Sequence, residues 1–82
     1  MVKRKTSELY ATVVSPEMKA LGRKIDRLRQ RAALSKSALA IEAELSQFYI
    51  HRIINGTCKV SVPTLQKIAG ALRVRVKDLI DF

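Results

Sequence analysis

The spacing of apolar residues along the chain predicts five short helices. In the first, which begins after Ser15, apolar residues recur every three or four positions on one side, and lysines and arginines occupy the other. The second and third predicted helices span residues 34–43 and 46–54, a fourth begins at Ser61, and a last helical turn lies at residues 77–82. Ser15, Ser35 and Ser61 are N-cap candidates for the first, second and fourth helices. The apolar face of the fourth helix is formed by Leu65, Ile68, Ala69 and Leu72. The sequence therefore predicts an all-α protein.

The second and third predicted helices are separated by a turn of about three residues, which is the spacing of a helix-turn-helix motif. The third begins at the N-cap candidate Ser46 and ends at Asn55-Gly56, a pair that stops helices. Between its apolar positions stand side chains suited to reading the edges of nucleic-acid bases. These side chains belong to Gln47, Phe48, His51 and Arg52.

The charge of the chain favours an anionic partner. Its 82 residues are enough for one small domain, and 16 lysines and arginines against 7 acidic residues give a formal net charge of +9. A basic balance of this size is an electrostatic footprint of nucleic-acid binding. We therefore expect a nucleic acid as the partner, in preference to a basic surface that serves solubility alone.

The composition disfavours several other kinds of site. A single cysteine, Cys58, excludes an internal disulfide, and with a single histidine it makes a zinc site within one chain implausible. No nucleophile, base and orienting group recur at usable spacing, and no glycine-rich phosphate loop is present. We therefore expect no enzyme activity, no metal and no cofactor.

The sequence shows no signal for a membrane. No apolar run reaches the roughly 20 residues that span a bilayer. Residues 3–8 continue from a basic cluster into polar residues, which a signal peptide does not do. We expect a cytoplasmic, nucleoid-associated protein without a membrane partner.

Residues 1–14 form a separate segment that combines the basic cluster Lys3-Arg4-Lys5 with a short run of strand-forming residues at positions 9–14. One interpretation is a basic arm that follows the DNA phosphate backbone, while its apolar run packs on the domain or pairs with its copy in a dimer. The other is a frayed terminus. We expect an N-terminal basic arm that is partly disordered, followed by a domain at residues 15–82.

The chain resembles the Cro/XRE-type helix-turn-helix proteins, the family of the phage repressors, over residues 18–80. The matching positions include Leu21-Gly22, Leu34-Ser35, Leu39-Ala40, Leu45-Ser46, Tyr49-Ile50 and Asn55-Gly56. This resemblance implies a compact five-helix bundle, a lambda-repressor-like DNA-binding domain. Helices 2 and 3 of such a domain form the helix-turn-helix, and the third lies in the DNA major groove.

The resemblance also implies roles for individual residues. Gln47 and Phe48 fall in the first turn of the implied recognition helix, and His51 and Arg52 fall in the next turn on the same side. By their chemistry, Arg52 suits a guanine, Gln47 an adenine and Phe48 the methyl group of a thymine. The alternatives place Phe48 in the core and His51 in solvent.

A second set of residues is expected to contact the DNA backbone. The set combines the exposed N–H groups and positive dipole end of the second helix with the start of the third helix and the loop that follows it. Tyr49 is expected to pack between helices with its hydroxyl free to reach a phosphate. The candidates are Ser35, Lys36, Ser37, Ser46, Tyr49, Asn55, Thr57 and Lys59.

Two positions depart from the family pattern. Glu44 occupies a turn position where many members have glycine, so the turn must tolerate or avoid a left-handed backbone. Ile54 stands where many members have a glutamate that pairs with the arginine at Arg29. Arg29 therefore needs another partner or water, since an unpaired buried guanidinium is too costly, and Ile54 is expected to join the core.

The resemblance implies a sequence-specific regulator of transcription that binds double-stranded DNA. We expect a homodimeric repressor of the phage-like, plasmid or restriction-modification-controller type, which reads a palindromic operator through the major groove. Its apolar tail is the candidate for an isologous interface, and the alternative is that those residues only close the core of the protomer. We expect a split between the two, with Ile80 and Phe82 as the preferred interface pair. The candidate interface residues are Val76, Leu79, Ile80 and Phe82.

The alternative function is that of an antitoxin, a protein-interaction module that neutralises a partner protein and regulates its own operon. Such a protein generally carries an additional segment that binds its partner. In this chain only residues 1–14 are available for that purpose.

Overall fold

Five helices account for most of residues 15–81, the part of the chain that the structure, a computed structural model, describes. No strand occurs within that range, so the predicted all-α fold is confirmed. The arm at residues 1–14 and the interface candidate Phe82 lie outside the described residues. The helices are α1 Pro16–Arg31, α2 Lys36–Ala43, α3 Gln47–Ile54, α4 Val62–Leu72 and α5 Val76–Leu79.

A serine caps each of the four longer helices, as the sequence predicts. In each case the serine Oγ accepts the backbone N–H of the residue three positions further on, which satisfies one of the N–H groups that a helix start leaves unpaired. The acceptor–donor distances are 3.1 Å for Ser15, 3.0 Å for Ser35, 3.0 Å for Ser46 and 3.3 Å for Ser61. Four local hydrogen bonds thus fix where the helices begin.

The apolar faces of the helices meet in one core. Helix α1 packs against α3 and α5, α2 packs against α3 and α4, and α4 also contacts α5. The branched side chains at the centre have at most 1% of their surface exposed. The largest of these fully buried residues are Ile25, Leu39, Ile50, Ile53, Ile68 and Leu79.

The burial of Leu79 corrects one expectation about the apolar tail. Its side chain is 0% exposed, so Leu79 belongs to the core of the protomer and its assignment to a dimer interface is wrong. Ile80, the next residue, is 48% exposed, and Val76 is partly buried against the core. The tail therefore divides between the core and the surface.

The turn between α2 and α3 has a left-handed backbone at Glu44, one of the two alternatives that the sequence left open. Glu44 has φ 58° and ψ 43°, a conformation that glycine adopts without strain and that costs a residue with a side chain about 1 kcal/mol. Its N–H donates to the carbonyls of Ala40 and Ile41. The turn therefore has the usual helix-ending geometry, at some cost in stability.

Arg29 binds Asp26 and the carbonyl of Leu34, since position 54 holds an isoleucine and not an acid. Its Nε donates to the Oδ1 of Asp26 at 2.9 Å, and a terminal nitrogen donates to the carbonyl of Leu34 at 2.7 Å. The predicted need for another partner is confirmed, because the guanidinium is only 15% exposed and is bound on both sides. Ile54 packs against the core, also as expected.

Two glycines bring α1 against the end of α3. A Cβ on Gly22 of α1 would collide with the carbonyl of Ile54 and lie 2.7 Å from the carbonyl oxygen of Ile53. A Cβ on Gly56, which has φ +73°, would lie 2.8 Å from the Cα of Lys19. Both contacts are to backbone atoms, so α1 and the C-terminal end of α3 approach more closely than any side chain permits.

We expect Gly22→Ala to destabilise the protein by about 2 kcal/mol, because the added methyl group has no space between the two helices. Gly70 provides a matched control, since it also lies inside a helix but has nothing within 4 Å of its Cβ position. Gly70→Ala should stabilise the protein by about 0.5–1 kcal/mol, the helix-propensity difference. Urea unfolding of both variants measures these changes, and equal stability of the two would contradict the close approach.

Candidate nucleic-acid interface

Helix α3 has a buried face and an exposed face that differ in chemistry. Ile50 and Ile53 are 0% and 1% exposed and anchor the helix in the core. The four residues expected to read bases all lie on the exposed face, and Phe48 is 71% exposed, which excludes its alternative place in the core. These residues, called the outer face below, are Gln47, Phe48, His51 and Arg52.

Arg52 makes ordered contacts although it is exposed. Its Nη2 donates to the carbonyl of Thr57 at 3.3 Å, and its Cζ lies 5.8 Å from the centroid of the Phe48 ring. The Thr57 hydroxyl in turn donates to the carbonyl of Arg52 at 3.1 Å. The guanidinium is therefore held between an aromatic ring one helical turn earlier and the loop that follows the helix.

The link between Arg52 and Thr57 was not predicted from the sequence. Thr57 was considered only as a candidate for contacting the DNA backbone, and Phe48 and Arg52 were treated as independent. The spacing of four residues between Phe48 and Arg52 is the signal that relates them, because residues four apart in a helix are neighbours. For Thr57 the signal was weaker, a threonine just beyond the helix-ending Asn55.

The N-terminus of α2 presents hydrogen-bond donors, as expected. The Oγ of Ser35 accepts the N–H of Ala38, so the N–H groups of Lys36 and Ser37 in the first turn lack helical acceptors. Ser37 is exposed and Lys36 is partly exposed. Together with the positive end of the helix dipole, these groups can bind an anion such as a phosphate.

The other candidates for backbone contacts lie around α3. Ser46 is exposed and caps the helix by accepting the N–H of Tyr49, which leaves its hydroxyl proton free to donate. Tyr49 is partly buried against the core, in agreement with its expected packing between helices. Asn55 ends α3 as its C-cap, and Lys59 is exposed in the following loop.

Cys58 lies in the same loop and is partly buried against the core. Burial raises the pKa of its thiol above the ordinary value, and the positive charge of Arg52 opposes this effect in part. Within residues 15–81, no three histidine, cysteine or acidic side chains come together as a metal-binding group. No helix in the same range is both long and apolar enough to cross a membrane.

An apolar groove of about 570 Å³ lies beside the start of α1. Met18 and Leu21 of α1 line one part of it, and Val60 and Leu65 line another. Ile80, the exposed residue of the tail, also borders this groove. Ile80 thus joins the tail to the apolar part of the groove.

Comparison with protein families identifies a similarity over most of the chain. A family model described as a helix-turn-helix domain matches residues 20–81. The control protein C.BamHI of Bacillus amyloliquefaciens is 40% identical over 62 residues, which cover 74% of this chain and 76% of that protein. These matches confirm the resemblance to helix-turn-helix proteins that the sequence indicated.

Solved structures share the same fold. The restriction-modification controller protein C.AhdI of Aeromonas hydrophila superposes with a TM-score of 0.78 at 26% identity, covering 79% of this chain and 98% of that one. The clp gene regulator ClgR of C. glutamicum has the same TM-score at 23% identity, with 84% and 88% covered, and supports the fold alone. The predicted five-helix architecture is therefore also found in proteins of known structure.

We expect the Cys58 thiol to ionise with a midpoint above 9.0, the ordinary value. Arg52→Ala should raise the midpoint further, because it removes the positive charge that favours the thiolate. Since the folded-state pKa is raised, the thiol's contribution to stability is complete below the unfolded-state pKa and is lost as the pH rises through the folded-state pKa.

The pH dependence of the rate at which iodoacetamide alkylates Cys58 measures this midpoint, because the thiolate is the reacting species and the two tyrosines do not react comparably. Arg31→Ala, at the end of α1, is the control and should leave the midpoint unchanged. The same midpoint in the wild type and in Arg52→Ala would show that Arg52 does not lie near the thiol.

Proposed function

Because the chain belongs to the helix-turn-helix family of DNA-binding transcriptional regulators, we propose that it is a sequence-specific repressor that reads a palindromic operator as a homodimer. Its place is in the cytoplasm, on the bacterial nucleoid. The family consists of regulators of transcription and not of enzymes. The proposal concerns the residues that read DNA, the partner subunit and the genetic context.

The observation that carries the proposal is the division of α3 into two faces. A helix held by Ile50 and Ile53 presents four side chains that can hydrogen-bond or pack against bases, and none of the four is needed for the core. The major groove admits one α-helix and offers a distinct pattern of donors and acceptors at each base pair. Base reading is therefore assigned to the outer face of α3.

Contacts to the phosphate backbone are assigned to the flanking elements. The unpaired N–H groups at the start of α2 and the side chain of Lys36 provide one anchor, and Asn55 and Lys59 beyond α3 provide another. Such contacts fix the register of the reading helix without reading sequence. The net charge of +9 adds a general attraction to DNA.

The genetic context that we propose is a restriction-modification system. Two similar proteins support it, one named a control protein and one a restriction-modification controller protein. The antitoxin alternative has less support, because it requires residues 1–14 to bind a partner protein and these lie outside the described residues.

The dimer interface that we propose is the apolar surface formed by the groove and the tail. Ile80 is its most exposed described residue and continues into the groove beside α1. Val76 is partly buried and can contribute an edge. A two-fold dimer on DNA would place its two recognition helices about 34–36 Å apart, one turn of the duplex.

Selection of bound fragments from random double-stranded DNA tests the function. The expected product is a symmetric site whose half-sites are centred about 10 base pairs apart, or a multiple of this, as for other dimers of this type. Enrichment of an asymmetric site would contradict the homodimer. Failure to enrich any sequence would contradict sequence-specific binding itself.

Substitution of Arg52 and of Lys36 should affect DNA binding in different ways. Arg52→Ala should weaken binding to the selected site by about tenfold or more and leave non-specific binding almost unchanged, because a base contact is lost. Lys36→Ala should weaken binding to all sequences and reduce the salt slope by about one, because a phosphate contact is lost.

Titrations of specific and random duplexes at several salt concentrations separate the two effects. Circular dichroism establishes that both variants remain folded. Equal losses by both variants on every sequence would contradict the assignment of α3 as the reading helix.

Ile80→Asp should convert the dimer into a monomer, because a carboxylate at the interface loses its hydration without gaining a partner. Ile41→Asp is the matched control, since Ile41 is 75% exposed but lies on α2, away from the tail. Sedimentation of the wild type and both variants measures the change. A monomeric wild type, or a dimer unaffected by Ile80→Asp, would contradict the proposed interface.

A further inference from the structure

Phe48 and Arg52 form a cation–π pair on the outer face of α3. The Cζ of the guanidinium lies 5.8 Å from the ring centroid, within the range of a cation–π contact. The ring is 71% exposed, and Arg52 is also exposed. No other residue is required to bring the two together, because they are one turn apart on the same helix.

The pair keeps most of its binding capacity free. A guanidinium has five N–H donors, and Arg52 uses one group in its hydrogen bond to the Thr57 carbonyl. The remaining donors are sufficient for a two-point contact with the O6 and N7 of a guanine. The hydrogen bond on one side and the ring on the other restrict the directions in which these donors can point.

We propose that Phe48 and Arg52 read two adjacent base pairs as a single unit. Arg52 binds a guanine, and Phe48 packs against the C5-methyl group that a thymine presents in the neighbouring pair. This inference rests on the proposed function and names the step that the outer face recognises. Adjacent base pairs are favoured because the 5.8 Å between the Arg52 Cζ and the Phe48 ring centroid is less than two base-pair steps of about 3.4 Å each.

The guanine contact of Arg52 and the methyl contact of Phe48 are coupled through the cation–π contact between the two side chains. When the pair enters the groove, water leaves both side chains, and a cation–π contact strengthens as it is desolvated. Loss of the ring therefore weakens the guanine contact as well as the methyl contact. If the two base contacts were independent, loss of the ring would weaken only the methyl contact.

Modified duplexes of the selected operator test which base pairs are read. Replacing each thymine by uracil removes one methyl group, and at one position the wild type should lose about fourfold in affinity. Replacing guanines by 7-deazaguanine removes N7, and at the neighbouring pair the loss should be about tenfold. The uracil effect should vanish in Phe48→Ala, and the deazaguanine effect should vanish in Arg52→Ala.

A double-mutant cycle tests the coupling. In the double variant, the loss of affinity should be about three- to fivefold smaller than the product of the losses caused by Phe48→Ala and by Arg52→Ala. This shortfall measures the strengthening of the cation–π contact on desolvation, because the contact that already exists in the free protein cancels in the cycle. Phe48→Leu should keep the sensitivity to uracil and lose the coupling, because leucine packs on a methyl group but has no aromatic face. Gln47→Ala and Arg52→Ala are the control pair, and their losses of affinity should multiply in the double variant.

Several outcomes would overturn the inference. The first is the absence of a thymine whose methyl group is sensed through Phe48, and the second is a pair of sensitive positions that are not adjacent. Independent, multiplying losses from Phe48→Ala and Arg52→Ala would remove the coupling. All three outcomes presuppose an operator that the protein selects, so they differ from failure of the proposed function, in which no sequence is enriched.

Discussion

The position of α3, the proposed reading helix, depends on the close approach of α1 to the end of α3. Gly22 meets the carbonyls of Ile53 and Ile54, and Gly56 meets the backbone of Lys19. Because these contacts join main-chain atoms, no change of rotamer can relax them. The direction in which α3 projects from the domain is therefore set by the backbone, and the exposed side chains inherit that direction without contributing to it.

An apolar contact and a relocated arginine complete this link between the helices. Ile54 packs on the core where many family members have an acid, so no ion pair joins α3 to Arg29. Arg29 instead holds Asp26 and the carbonyl of Leu34. The arginine thus stabilises the turn that leads from α1 into α2. In this chain α1 is joined to α3 by packing, whereas the charged pair of Arg29 and Asp26 lies near the C-terminal end of α1.

Features that depend on local chemistry could be predicted from the sequence. The serine caps and the apolar face of α4 required only neighbouring residues, and each was predicted correctly. The division of the tail between core and surface was expected, but the complete burial of Leu79 was not, because it depends on which other helices cover a four-residue helix. The link from Arg52 to Thr57 was missed for a similar reason, since it requires the path of the loop beyond the helix. Sequence reasoning placed the four residues of the outer face on one exposed side of α3, as the structure does, but it did not show how two of them are held.

The separation of the two faces of α3 determines which of its residues can change independently. Gln47 and His51 are exposed, and their side chains make no hydrogen bond within the described part of the chain, so substitutions there should change the proposed base contacts at little cost in stability. Arg52 differs, because its carbonyl and guanidinium both bind Thr57 and its charge lies beside the Phe48 ring. Replacing Arg52 therefore removes its side-chain contacts to Phe48 and to the Thr57 carbonyl in addition to the proposed base contact, while the hydrogen bond from the Thr57 hydroxyl to the main-chain carbonyl of residue 52 can remain. Specificity is expected to vary most freely at Gln47 and His51, whereas Phe48 and Arg52 are constrained to change together.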